Sequence, residues 1–217
     1  MSLGKDGPSQ MGLEDIAMMR TIFGSTVVCP SDASSAWKLT EQLIEQKGVS
    51  YIRTVREPTD IIYGPKDEFP IGGSKVFYST IQRTNELRKC RNIVICAIGI
   101  TVHEALKAQK ILSEKNIAAT VMDCYSIKPF DTKTLLELVK DADQLIIVED
   151  HYPEGGLGET ILSALSLARP PLARLNNGKL SIFHLAVRSQ PRSGKPEELL
   201  AFEKIDCDAI VNAVMEK

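Results

Sequence analysis

Residues 93–99 read IVICAIG, and this stretch decides the architecture. It carries no charge and ends in Gly99. A run so short and so uniformly apolar suits a strand buried on both faces, as in a parallel sheet with helices on either side. The pattern continues downstream. Val102, Ala105, Leu106, Gln109 and Leu112 line one face of a helix. Ala118 to Met122 is a second strand. Thr134 to Val139 lies within a helix that Asp131 can open. Leu145 to Glu149, Leu157 to Ala168, Leu180 to Val187 and Asp206 to Met215 follow as strand, helix, strand and helix. Strands without polar alternation, interleaved with helices, predict a complete three-layer α/β domain over residues 91–217.

Upstream the alternation is thinner. Leu13, Ile16, Ala17, Met19 and Ile22 share a helix face, and Gly24 ends that helix. Thr26 to Cys29 is a buried strand. Asp32 or Ser34 can cap the next helix, whose inner face is read as Trp37, Thr40, Leu43 and Ile44. Val49 to Val55 is another strand. Residues 56–75 are punctuated by Pro58, Pro65, Pro70 and paired glycines, which marks a linker or crossing segment. Thr80 to Asn92 is polar and basic, and reads as a loop. Two strands cannot build a sheet that buries both faces. The first region is therefore expected to be a partial domain, residues 1–75, joined by a linker, 76–90, to the complete one. Its missing strands belong to another chain or to an absent front half.

The chain has 217 residues, of which 43% are hydrophobic and 25% charged. That suits a globular protein with a substantial core. A net charge of −2 gives no reason to expect a nucleic-acid or membrane partner. No apolar run approaches the roughly 18 residues a membrane span needs. Met1-Ser2-Leu3 has no features of a secretion signal. Cys29, Cys90, Cys96, Cys124 and Cys207 are odd in number, widely spaced and without a CxxC pair. They read as free thiols in a reducing compartment, so a cytoplasmic protein is expected.

Four stretches hold candidate chemistry. Asp6-Gly7-Pro8-Ser9-Gln10 is a Gly-rich polar loop running into a helix; Asp6 can accept from sugar hydroxyls, and Gln10 can both donate and accept. From local chemistry alone such a stretch is more often an ordinary solvated turn. Arg53 and Arg56 end a strand, where two guanidiniums can clamp a phosphate or can simply flank a sheet edge. Glu149-Asp150-His151 before Gly155-Gly156-Leu157-Gly158-Glu159 places a histidine and carboxylates at a strand's C-terminal end. The spacing satisfies neither GxGxxG nor a P-loop, which favours a tight strand–loop–helix corner. Arg192 to Pro196 is a basic turn leading into a helix. His103 and His184 have no metal-ligand partner at helical spacing and read as structural.

The order of these motifs resembles the C-terminal part of the transketolase family, most closely its animal type. The stretches that carry the resemblance are DGPSQMGLEDIAMMR (6–20), TVVCPSD (26–32), YIRTVREPTDIIY (51–63), GITVHEAL (99–106), IKPFD (127–131), VEDHYPEGGLGE (148–159) and HLAVRSQPRSGKPEELL (184–200). They span nearly the whole chain. The resemblance implies a truncated parallel-sheet pyrimidine-binding domain followed by the family's C-terminal domain. It implies transfer of a two-carbon ketol unit from a ketose phosphate to an aldose phosphate, with thiamine diphosphate and a divalent metal, Mg²⁺ or Ca²⁺. It implies a homodimer whose two chains share each site, together with an N-terminal transketolase segment. That segment would hold the diphosphate, the metal and the activating glutamate, so this chain alone is expected to bind no cofactor and to lack a full active site.

By the same resemblance, Asp6 matches the aspartate that contacts a substrate hydroxyl. Gln10 matches the position beside thiamine, and Arg56 the arginine that grips the sugar phosphate, with Arg53 in support. No residue here matches a catalytic or metal-binding position. Lys5 stands where the family usually has Glu. Two alternatives remain open: a natural C-terminal subunit of a split transketolase, and a non-catalytic dimerisation or interaction module.

Overall fold

The computed structural model describes residues 4, 7, 10–81, 91–167 and 180–216. Its larger sheet is built around β4 (Asn92–Ala97). β4 pairs in parallel with β5 (Ala118–Asp123) on one side and β7 (Gln144–Val148) on the other. Beyond β7 lies β8 (Ser181–Leu185), also parallel. The apolar run at 93–99 is thus a central strand, and its side chains divide between two cores. Ile93, Ile95 and Ala97 join one cluster; Val94, Cys96 and Ile98 join the other. The twofold alternation of a strand sends successive residues to opposite faces. On the first face sit α3 (Ile100–Glu114), α6 (Pro196–Phe202) and α7 (Cys207–Met215). On the second sit α4 (Thr132–Val139) and α5 (Leu157–Ser166). This is the expected three-layer α/β arrangement.

The opposite edge differs from the expectation. β3 (Lys75–Phe77), at the end of the segment read as a linker, pairs antiparallel with β5 and completes the sheet. Residues 56–75 are likewise not a bare linker. Tyr63 and Phe69 are buried with Tyr125 in a third core cluster, and Phe69 stacks edge-on against both rings. The Pro and Gly punctuation shapes a crossing segment that packs rather than one that hangs free.

The first region holds α1 (Asp15–Thr21), β1 (Thr26–Val28), α2 (Ala33–Glu45) and β2 (Ser50–Ile52). β1 pairs in parallel with β2. The third strand of this small sheet is β6 (Ser126–Lys128), which comes from the second region and runs antiparallel to β1. Only part of the expected Val49–Val55 strand forms. Asp32 caps α2, its side chain accepting from Ser35 N at 2.7 Å within a capping box. Asp131 caps α4 in the same way.

The inner face of α2 needs correction. Ser35 and Leu39 are buried, whereas Trp37 is 68% and Ile44 75% exposed. Two residues along a helix lie about 200° apart, so Trp37 faces away from the positions on either side of it that meet the core. Apolar spacing alone could not say which of the two faces turns inward. Cys29, Cys96, Cys124 and Cys207 are free thiols, and Cys90 lies outside the described residues. Among the described residues no helix is long and apolar enough to cross a membrane.

A buried polar knot joins the regions. Asp123, at the end of β5, is fully buried and accepts from Ser31 Oγ at 2.7 Å and Tyr63 Oη at 2.6 Å. Burial is the main cause that pushes its carboxyl up to about 7. Its folded value therefore exceeds the ordinary one of 3.8. The stability it contributes is full below that ordinary value and is lost as pH rises through about 7. Asp123→Asn is expected to remove this share of the pH dependence. Melting temperatures of the two proteins, compared from pH 4 to 8, should converge or cross; parallel curves would refute the assignment.

Candidate functional site

The C-terminal ends of β1, β2, β4 and β7 open into one cavity of about 360 Å³. This is where ligands bind in open parallel α/β sheets. Gln10, Met11, Gly12 and Asp15 form one wall; Cys29 and residues 51–56 form another. Ile98, Gly99, Ile100 and Asp150 close it from the larger sheet. The cavity therefore lies between the two regions, and both supply its lining.

The structure brings together three of the four residues singled out in the sequence. Gln10 and Arg56 are exposed and line the cavity, and Arg53 forms part of its floor. Asp6, like Lys5, lies outside the described residues. Arg56 also borders a second hollow of about 290 Å³ beside the start of α2.

Arg53 is turned to the protein. Its Nε lies 3.1 Å from Asp15 Oδ2. One terminal nitrogen donates to Asp150 O at 2.6 Å and the other to Gly12 O at 3.1 Å. Burial draws the guanidinium pKa down, but Asp150 foremost, then Cys29 and Asp15, hold it above its ordinary value. Asp15 also accepts from Tyr51 Oη at 2.6 Å, and burial with this bond raises the Tyr51 pKa. Cys29, on the same wall, is pushed by burial up to about 12 and stays a thiol at neutral pH. Asp15, Tyr51 and Asp150 were not picked out from the sequence as cavity residues. The position of Asp150 at a strand's C-terminal end was the available signal.

The Glu149-Asp150-His151 corner is built for structure. Glu149 is fully buried and accepts from Leu157 N (2.6 Å), Gly158 N (2.9 Å) and His184 Nε2 (2.7 Å). It thereby satisfies the first N–H groups of α5. Gly158 is required by contact, since a Cβ there would stand 2.3 Å from the His184 ring. His151 is fully buried; its Nδ1 donates to Tyr152 O at 2.6 Å, and Nε2 faces Ala17 N at 3.4 Å. Arg20 donates to the carbonyls of Gly155 and Gly156. His103 is likewise structural, bonded to Ser31 O at 2.6 Å. Among the described residues no cluster of three His, Cys, Asp or Glu side chains could hold a metal ion.

Two family models divide the chain between them. Residues 1–60 match the transketolase pyrimidine binding domain and residues 82–210 the transketolase C-terminal domain. The chain belongs to the transketolase family. It is 40% identical to transketolase of Homo sapiens over 215 residues, which is 99% of this chain and 32% of that protein. It is 41% identical to transketolase-like protein 1 of Bos taurus, covering 99% of this chain and 33% of that one. The chain thus spans about a third of the length of the curated transketolases it matches. Among solved structures it is similar to a split gene transketolase described as an inactive beta4 tetramer. The TM-score is 0.79 at 27% identity, over 96% of this chain and 62% of that one.

Proposed function

We propose that this chain supplies the substrate-facing wall of a transketolase site. The parent reaction is transfer of a two-carbon ketol unit from a ketose phosphate to an aldose phosphate. The observation that carries this reading is the meeting of Gln10 and Arg56 on one cavity at the strand ends. Arg56 takes the sugar phosphate, since a guanidinium matches its geometry and charge. Binding energy gained at that remote group orients the reacting end. Asp6 is assigned to a substrate hydroxyl.

Thiamine diphosphate fits this wall in part. The Gln10 amide offers a donor and an acceptor suited to a heterocycle edge, and the cavity walls beside it are mixed polar and apolar. When bound, the cofactor supplies the nucleophilic carbon that carries the two-carbon unit. The diphosphate and its Mg²⁺ or Ca²⁺ are assigned to a separate N-terminal transketolase segment. The chain alone is expected to be inactive, to work as a cytoplasmic protein, and to pair with a second copy across the shared site.

The likeness to a split gene transketolase supports a second reading, in which this chain belongs to a subunit that works with a separate N-terminal partner. The test is ketol transfer from xylulose 5-phosphate to ribose 5-phosphate with thiamine diphosphate and Mg²⁺. The chain is assayed alone and with a separately produced N-terminal transketolase segment. Activity only in the mixture is expected. Activity of the chain alone would overturn the assignment of cofactor contacts to another segment, and silence of the mixture would overturn the half-site reading.

A further inference from the structure

The wall that carries Gln10 is fastened to the C-terminal α/β unit at several points, and Arg53 is the centre of the fastening. Gly12 O accepts from Arg53, and the adjacent Leu13 O accepts from Tyr152 N at 3.1 Å. Met11 and Leu13 are buried in the same core as Val187 and Leu199 of the C-terminal unit. Further forward, Gly4 O accepts from Gly194 N at 3.4 Å. Gly7, at φ +75°, has Ser193 Oγ only 2.8 Å from where a Cβ would stand. The RSGKP turn, read in the sequence as a helix start, therefore also lies under the opening segment.

Arg53 adds the cross-tie. It reaches the opening segment at Gly12, α1 at Asp15 and the loop after β7 at Asp150. Each of its three nitrogens has a protein partner, which takes up three of the five N–H groups, and only 15% of the side chain is exposed. A lysine ammonium has neither the plane nor the reach to join three such partners at once.

We infer that Arg53 is a positioning residue: it locks the Gln10–Leu13 wall to Asp150, so that the C-terminal unit sets where Gln10 meets its ligand. This rests on the half-site reading for its kinetic consequence, though not for the tie itself. Arg56 contacts the phosphate and Arg53 does not. The C-terminal unit thus has a task in the site although it offers the cavity few side chains of its own.

The tie is tested in the full chain by hydrogen exchange, comparing wild type, Arg53→Lys, Arg53→Gln and Arg56→Gln. In both Arg53 variants, amides of residues 12–15 and 151–152 are expected to exchange about 10-fold faster together. Arg56→Gln should leave both segments unchanged. Unaltered exchange at either segment in the Arg53 variants overturns the tie.

The reconstituted mixture separates positioning from phosphate contact, at a temperature where circular dichroism shows every variant folded. Arg53→Lys is expected to lower kcat equally with xylulose 5-phosphate and with phosphate-free xylulose, and to leave the KM ratio of the two donors unchanged. A loss confined to the phosphorylated donor would make Arg53 a substrate contact. A lowered melting temperature with unchanged kcat would make it merely structural. Either result overturns the inference. If the wild-type mixture is silent, the half-site reading falls, and the exchange result alone decides the tie.

Discussion

Glu149→Ala lowers folding stability by about 3–5 kcal/mol, because it strands buried donors that each cost about 1–3 kcal/mol when unpaired. Leu157 N, Gly158 N and His184 Nε2 all lose their acceptor in one substitution. Glu149 is fully buried and His184 largely so, and the helix start it serves lies against the core through Leu157 and Ile161. Glu149→Gln keeps the shape and an acceptor oxygen, so its loss should be clearly smaller. Chemical denaturation of the three proteins checks both statements. A change below about 1 kcal/mol for the alanine variant would mean that the corner finds other partners, since that is the range of ordinary substitutions.

Arg56→Gln acts on binding instead. A hydrogen bond to a charged group contributes about 1.5–3 kcal/mol, which is roughly a 10- to 150-fold change at 1.4 kcal/mol per tenfold. In the mixture with an N-terminal segment, kcat/KM for the phosphorylated donor should fall by that factor. The value for phosphate-free xylulose should hold. Stability should be nearly unaffected, because Arg56 is exposed. Equal losses with both donors would move the phosphate contact away from Arg56.

These two effects separate what local pattern encodes from what it does not. The IVICAIG run reads as a central strand because its lack of polar alternation is itself the mark of double burial. Asp32 and Asp131 read as caps because a cap is satisfied within a few residues of its own position. Gln10 and Arg56 could be named through their family motifs, and the structure sets them on one cavity.

Longer-range arrangements left no comparable trace. The outward turn of Trp37 depends on which face of α2 finds a core. The occupation of the Arg53 fork depends on Gly12 and Asp150, 41 and 97 residues away in sequence. No periodicity reports on partners so distant. Residues 56–75 were legible as a linker or a crossing segment and no further: proline and glycine mark bends, but only the packed chain shows that Tyr63 and Phe69 fill a core between those bends.

The antiparallel pairing of β6 with β1 has a consequence for dissection and recombination. The two family models match separate stretches of the sequence, residues 1–60 and 82–210, yet strand pairing joins them, with Val28 opposite Ser126 and Val27 opposite Lys128. The joint is woven rather than hinged. A chimera that swaps residues 1–60 between relatives inherits one side of a sheet and must match a foreign strand on the other. Graft points that look natural on an alignment would therefore cut through the fold, whereas a graft that carries β1 and β6 together keeps the weave whole.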